Sequence, residues 1–387
     1  MKLVIVGAGI GGLSAALAIR ARLGAAAEIL VLERTEKLEE AGAGLQLSPN
    51  ATRVLFGLGL GEALTAVASA PARIEMRTAA GARLLYANEL GPAAAARWGA
   101  PYLHIHRADL RTVLLDGVKA AGGIEVRTGA SVGAVSQDGA GATLLLEDGA
   151  LVTADAVVGA DGLRSAVRAA LFGAGQPRYS GQAAWRALVP AERLPDELPS
   201  PEAGVWTGLG RHFVHYPLRG GSLINLVAVA DAAEPGEESW RTRGDPVALA
   251  VAFAGWPSPV AELILAADEV WRWPIYDRPP LPRWSAGRVT LLGDAAHPMP
   301  PYMAQGAAQA IEDAQALAIR LGEAGDVVRA FRRYEADRTD RTARVQAASR
   351  RNATLFHLPA FASRPMFAAA GALGLDSLDW LYGGGPA

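Results

Sequence analysis

Lys2 to Leu23 reads KLVIVGAGIGGLSAALAIRARL, and the meaning of its glycines decides the fold. Leu3 to Val6 is an unbroken apolar run, as expected of a parallel strand buried on both faces. The small-residue stretch after the glycines reads as a helix. Between them GAGIGG fits G-x-G-x-x-G: Gly7 makes the tight turn, Gly9 lets backbone approach a pyrophosphate, and Gly12 allows close packing. A helix N-terminus there offers N–H groups and positive potential to the anion. EILVLE, Glu28 to Glu33, is a second strand, and its last acid falls about 20 residues on, where a carboxylate accepts hydrogen bonds from ribose hydroxyls. The unit is βαβ and holds one dinucleotide. GLGLG, from Gly57, has the wrong spacing for a second site and is expected inside a helix.

The rest of the chain supports a large core. Its 387 residues are 51% hydrophobic and 20% charged, enough for two interlocked domains. A net charge of −2 supplies no field for nucleic acid or an anionic membrane. With no cysteine, disulfides, thiolate metal sites and a cysteine nucleophile are excluded. That fits a cytoplasmic protein. Glycines interrupt the apolar start, so it reads as folded chain rather than a leader, and no other run is long enough to span a bilayer. His297 lacks metal-spaced partners, so no metal is expected.

The α/β rhythm breaks twice. Residues 72–96 and 179–275 carry short strand patterns, among them RHFVHYPL and SLINLVAVA, while 1–71, 97–178 and 276–350 keep the strand–helix alternation. The expected fold is α/β: a Rossmann-like domain built from discontinuous segments, an inserted mixed or antiparallel sheet on the substrate side, and a helical segment over 351–387. Helices are expected near Gln305, Asp326 and Pro359. Arg332 to Arg351 reads as a solvated helix laced by the pairs Arg333–Asp337, Asp337–Arg341 and Asp340–Arg344.

Two further junctions carry acids. VVGADGLRSAVR, Val157 to Arg168, puts Asp161 at a strand end, where a helix cap is the plain reading. RVTLLGDAAHPMPPYMAQGAAQAIEDA, Arg288 to Ala314, puts Gly293 and Asp294 at another, ahead of a helix whose small residues admit a ligand. One long ligand starting at Gly7 would join all three.

In this order the three motifs resemble the fingerprints of the single-component FAD-dependent aromatic hydroxylases, group A flavoprotein monooxygenases with the p-hydroxybenzoate hydroxylase fold. GAGLQLSPNATRVL, HIHRADLRTVL, WRWPIYDRPPL and LDWLYGGG resemble the branch of 3-hydroxybenzoate 6-hydroxylase, salicylate hydroxylase and 6-hydroxynicotinate 3-monooxygenase. The resemblance implies FAD as cofactor, NADH or NADPH as donor, O2, a small aromatic acid as substrate, and a monomer or homodimer. It places Glu33 and Arg34 at the adenosine side, Gln46 and Arg107 toward the flavin, Asp161 at FAD and the donor, Gly293 and Asp294 at the ribityl chain, and Gly306 and Ala307 at a helix end facing the flavin ring.

In such enzymes oxygen added at flavin C4a attacks a ring activated by loss of its hydroxyl proton. A group of near-neutral pKa, or a tyrosine lowered by its surroundings, suits that task. His212 and Tyr216 share one strand face with Val214, His215 points the other way, and Tyr302 completes the expected catalytic set. Pro301 and Tyr302 depart from the Gln and His of related enzymes, and Gln46 from a His, which leaves the substrate open. W-x-W-x-I at Trp271 resembles part of a halogenase signature without its proline; oxidase, halogenase and a sensor without turnover are the alternatives.

Overall fold

Lys2–Val6, Ile10–Leu23 and Glu28–Leu32 form strand, helix and strand in the computed structural model, which describes residues 1–37, 43–173, 175–195, 203–234, 242–372 and 378–385. Gly42, which opens one of the motifs above, lies outside the described residues. The two strands pair in parallel within a six-stranded sheet ordered Ser285–Ala286, Val289–Leu291, Ala156–Gly159, Lys2–Val6, Glu28–Leu32, Ile124–Arg127. Only the Ser285–Ala286 pairing is antiparallel. Leu3, Val4, Ile5, Val157 and Val158 are fully buried, because helices cover both faces of such a sheet.

This strand order has one consequence for function. Lys2–Val6, Ala156–Gly159 and Val289–Leu291 are adjacent and parallel, so the turns after them, at Gly7, Asp161 and Asp294, meet along one sheet edge. In open α/β sheets, that carboxyl edge is where ligands bind.

A seven-stranded sheet faces it, ordered Trp271–Asp277, Arg178–Pro190, Leu223–Asp231, Arg211–Leu218, Ala203–Gly208, Arg73–Thr78, Leu84–Glu89. It is antiparallel except where Ala203–Gly208 meets Arg73–Thr78. One face packs Trp206, Phe213 and Leu226 against Leu249, Phe253 and Leu263 of two short helices. His215 lies on that face and accepts from Trp206 Nε1 at 3.1 Å. His212, Val214 and Tyr216 lie on the other.

Helices Gly306–Glu323 and Val327–Phe356 complete the core. The expected pairs of the second are not its pairs. Asp337 accepts from Arg320, Arg333 reaches Glu323, Arg341 reaches Glu312, and Arg344 lies over Trp380. Arg338, 1% exposed, binds Glu312 and Asp313. The helix packs on its neighbour, so its charges pair across the interface rather than along a solvated surface. GLGLG is also corrected: helix Pro49–Gly57 ends before Gly59, whose φ of +81° breaks it, and a new helix starts at Gly61. Among the described residues no helix is long and apolar enough to cross a membrane.

Candidate active site

Gly7 adopts φ +105°, and a Cβ on it would stand 2.5 Å from the Ala160 carbonyl oxygen. A Cβ on Gly12 would stand 1.9 Å from the Gly7 oxygen, so only glycine lets the helix begin this close to the turn. Gly9 differs: a Cβ there would meet nothing within 4 Å. It would instead fill an open cradle at the N-terminus of helix Ile10–Leu23. Glu33 stands beside this cradle, its Oε2 accepting from the Ala8 N–H at 2.8 Å and its Oε1 from the Thr35 N–H and hydroxyl at 3.1 and 2.9 Å. Arg34 is exposed at the rim.

Asp294 lies deep in the molecule, where burial raises its pKa against the pull of His297, Arg107 and Arg168, yet its side chain remains open. A deep carboxylate that is still accessible faces a cleft. Gly293, at φ +63°, donates to Asp313 Oδ2 at 3.0 Å and turns the chain so that Asp294 points there. Gly306 and Ala307 open the helix next to it, and a Cβ on Gly306 would come 3.8 Å from Asp294 Oδ1. Arg107 opens helix Arg107–Ala121 within electrostatic reach of Asp294 and Arg186. Asp161 does cap a helix: it accepts from the Ser165 hydroxyl at 2.5 Å and the Val167 N–H at 3.1 Å. Its Cα also abuts Gly7, so the cap and the glycine turn share one wall.

On the opposing sheet, the structure brings His212 and Tyr302 together, with ring centroids 5.4 Å apart. Tyr216 sits two strand pleats away, packed at 4.5 Å on His104 and into the space that Gly44 leaves open. Gln46 belongs to that end, accepting from the Tyr102 hydroxyl at 2.7 Å. Burial raises the phenols of Tyr216 and Tyr302 well above their usual range, which corrects the expectation of a lowered tyrosine. Burial lowers His212 well below the usual histidine range, so its imidazole is neutral. At neutral pH the His212 imidazole therefore offers a lone pair, while the phenols keep their protons and can donate hydrogen bonds.

A family model described as FAD binding domain matches residues 1–351. The chain belongs to that family. It is 42% identical over 388 residues to 3-amino-4-hydroxybenzoate 2-monooxygenase PtnB3 of Streptomyces platensis, covering 99% of this chain and 96% of the relative. It is 41% identical to 3-hydroxybenzoate 6-hydroxylase 1 of Aquipseudomonas alcaligenes, covering 90% and 88%. Its fold matches Klebsiella pneumoniae HpxO, solved with FAD and uric acid, at a TM-score of 0.84 and 28% identity, covering 99% and 95%. With these relatives the chain is an FAD-dependent aromatic monooxygenase, and its cofactor is FAD.

The open cradle at Gly9, the fixed carboxylate of Glu33 and the deep acid at Asp294 fit that cofactor. A separate hollow of about 440 Å³, lined by Lys2, Gln137, Asp138 and Asp155, lies at the opposite end of the strands and shares no residue with the cleft. Three polar residues beside His212 carried no signal in the sequence: Gln182, Asp231 and His357. Each sits in an unremarkable local pattern, and they meet only because two strands and the end of helix Val327–Phe356 converge.

Proposed function

We propose that the chain hydroxylates a small aromatic acid that already bears a ring hydroxyl, a phenolic or hydroxypyridine acid, with NADH or NADPH and O2 as co-substrates. The observation that carries this reading is the neutral, buried His212 beside Tyr302, in the segment that leads into helix Gly306–Glu323. A proton acceptor there is placed to activate a hydroxyl on a ring next to the flavin. FAD, once bound and reduced by the nicotinamide donor, would supply the O2 activation by which one oxygen atom enters the ring.

The protein's residues position and protonate. Residues 1–71, 97–178 and 276–350 hold the cofactor, while 72–96 and 179–275 cover the substrate. Gly7, Gly9 and Gly12 with the helix N-terminus hold the pyrophosphate, Glu33 and Arg34 the adenosine end, and Asp294 the ribityl hydroxyls. Arg107, Gln46 and Asp161 line the cleft between them. The positive end of helix Gly306–Glu323 would stabilise negative charge on the reduced ring. His212 Nε2 takes the hydroxyl proton; Tyr216 and Tyr302 stay protonated.

An acid substrate is supported by Arg186. Its guanidinium lies 3.9 Å over the Trp273 ring, and burial lowers its pKa only to about 10, so it stays cationic. The strand register puts it in line with Val227 and Val214, on the face that carries His212 and Tyr216. The test is a panel of 3-amino-4-hydroxybenzoate, 3-hydroxybenzoate and 6-hydroxynicotinate, each with NADH and NADPH. At least one should stimulate donor oxidation by FAD-replete protein and yield a hydroxylated product; no stimulation by any would overturn the reading.

A further inference from the structure

His212 does not end the polar path it begins. Its Nδ1 lies 2.9 Å from Nε2 of His357, and Nδ1 of His357 lies 2.9 Å from Asp231 Oδ1. His212 is 3% exposed, the His357 side chain 8% and the Asp231 side chain 62%. Three side chains thus lead, in single file, from the strand face to bulk water.

Gln182 adds the detail that makes this more than a buried network. Its Oε1 accepts from the Tyr302 hydroxyl, so its Nε2 is the donor end. That Nε2 lies 2.9 Å from the same His357 Nδ1 and 3.2 Å from Asp231 Oδ1. An imidazole nitrogen either donates or accepts, so Nδ1 cannot serve Asp231 and Gln182 in one tautomer. In the first state His357 Nδ1–H donates to Asp231, His357 Nε2 accepts from His212 Nδ1–H, and His212 Nε2 holds a free lone pair. In the second, Gln182 N–H donates to His357 Nδ1, His357 Nε2–H donates to His212 Nδ1, and His212 Nε2 carries the proton. The heavy atoms stand in place for both.

We propose that His212, His357 and Asp231 form a proton wire that carries the substrate's hydroxyl proton to solvent. This rests on the reading that an aromatic hydroxyl is deprotonated at His212. The substrate O–H breaks as His212 Nε2–H forms; His212 Nδ1–H breaks as His357 Nε2–H forms; His357 Nδ1–H breaks as the Asp231 carboxyl is protonated, and water takes that proton. One proton enters and one leaves. Burial lowers the pKa of both histidines, which disfavours a resident imidazolium and favours transfer by tautomer exchange. Among the described residues, Tyr302 and Tyr179 lie within electrostatic reach of Asp231, both raised by burial and neutral. His357 and Asp231 touch no substrate and act through His212.

The test follows proton release with an indicator dye when 3-amino-4-hydroxybenzoate or 3-hydroxybenzoate binds the FAD-replete, anaerobic enzyme. His357→Gln should slow release roughly 100-fold, the scale of a lost acid–base relay, with FAD content and substrate affinity unchanged. Added imidazole should restore the rate in His357→Ala. Wild-type release in His357→Gln would overturn the wire. Nitrogen-15 NMR of the wild-type histidines decides the matter without a variant at His357. His357 should be the Nδ1–H tautomer and should switch to Nε2–H in Asp231→Asn, whereas one fixed tautomer in both proteins would overturn the wire. If the wild type hydroxylates neither acid nor 6-hydroxynicotinate, the proposed function fails, and the NMR result still decides the wire.

Discussion

Two buried polar clusters flank the start of helix Gly306–Glu323, and they are built on opposite principles. On one side Arg338 binds Glu312 at 2.6 Å and Asp313 at 2.7 Å, Arg341 binds Glu312 at 2.6 Å, and His297 binds Asp313 at 2.6 Å. Burial alone would raise Asp313, but His297 and Arg338 hold it down to about 2. Every group there is charged or locked to a charge. On the other side His212 and His357 are neutral, and one imidazole nitrogen has two alternative partners. Full charge pairing fixes the geometry of helix Gly306–Glu323; neutral imidazoles with exchangeable protons leave one coordinate free to move.

The largest effect should come from the charged side. Arg338→Met takes from buried Asp313 its guanidinium and from buried Glu312 one of its two, and should destabilise by about 3–5 kcal/mol in denaturant unfolding. A loss under about 1 kcal/mol would dissolve the contrast between fixed and mobile clusters. Next comes the cofactor cradle. Gly12→Ala puts a Cβ 1.9 Å from the Gly7 oxygen and should yield protein without bound flavin and with a lowered melting temperature. Gly9→Ala meets open space, so it should keep the melting temperature of the apoprotein and weaken FAD alone. Asp294→Ala should likewise purify largely colourless; full flavin content with normal turnover would remove its proposed role.

The neutral histidines make a pH prediction. Burial lowers the pKa of His212 and of His357, and it brings His104 down to about 3 and His215 to about 4, below the histidine value of about 6.5 in an unfolded chain. Below pH ~6.5 the unfolded state therefore binds more protons, and stability should fall as pH drops from there toward 4. His215 alone should account for roughly 2–3 kcal/mol of that loss, and His215→Phe should flatten the slope measured by denaturant unfolding at a series of pH values. A pH-independent stability between 7 and about 4.5 would contradict neutral burial of these rings. The smallest stability change belongs to Tyr216→Phe, under about 1 kcal/mol. Its effect should appear instead as donor oxidation uncoupled from hydroxylation; unchanged coupling across pH would exclude Tyr216 from substrate activation.

The glycine turns and the acids beside them were legible because their signals are local. Gly7 to Gly12 and Glu33 lie within one strand–helix–strand unit, and Gly293 and Gly306 sit in the turn and at the helix start that give Asp294 its cleft. On the facing sheet and the segment beside it, the sequence singled out His212, Tyr216 and Tyr302 and no further polar group. His357 lies 145 residues from His212 and 126 from Asp231, in segments whose patterns say nothing of one another. The Arg338 helix misled for a related reason. Acids and bases four apart look alike whether they pair along a helix or reach across to its neighbour, and only packing decides. The expectation of a lowered tyrosine failed because Arg186 offers Tyr216 less than burial takes away.

The proposed function is insertion of oxygen into a hydroxylated aromatic acid. The most direct measurement is mass spectrometry of the product formed under isotopically labelled O2 with 3-amino-4-hydroxybenzoate, 3-hydroxybenzoate or 6-hydroxynicotinate, FAD and a nicotinamide donor. The product should carry a single labelled oxygen atom, in proportion to donor consumed. Donor consumption that yields only hydrogen peroxide, with no label in any aromatic product, would contradict it.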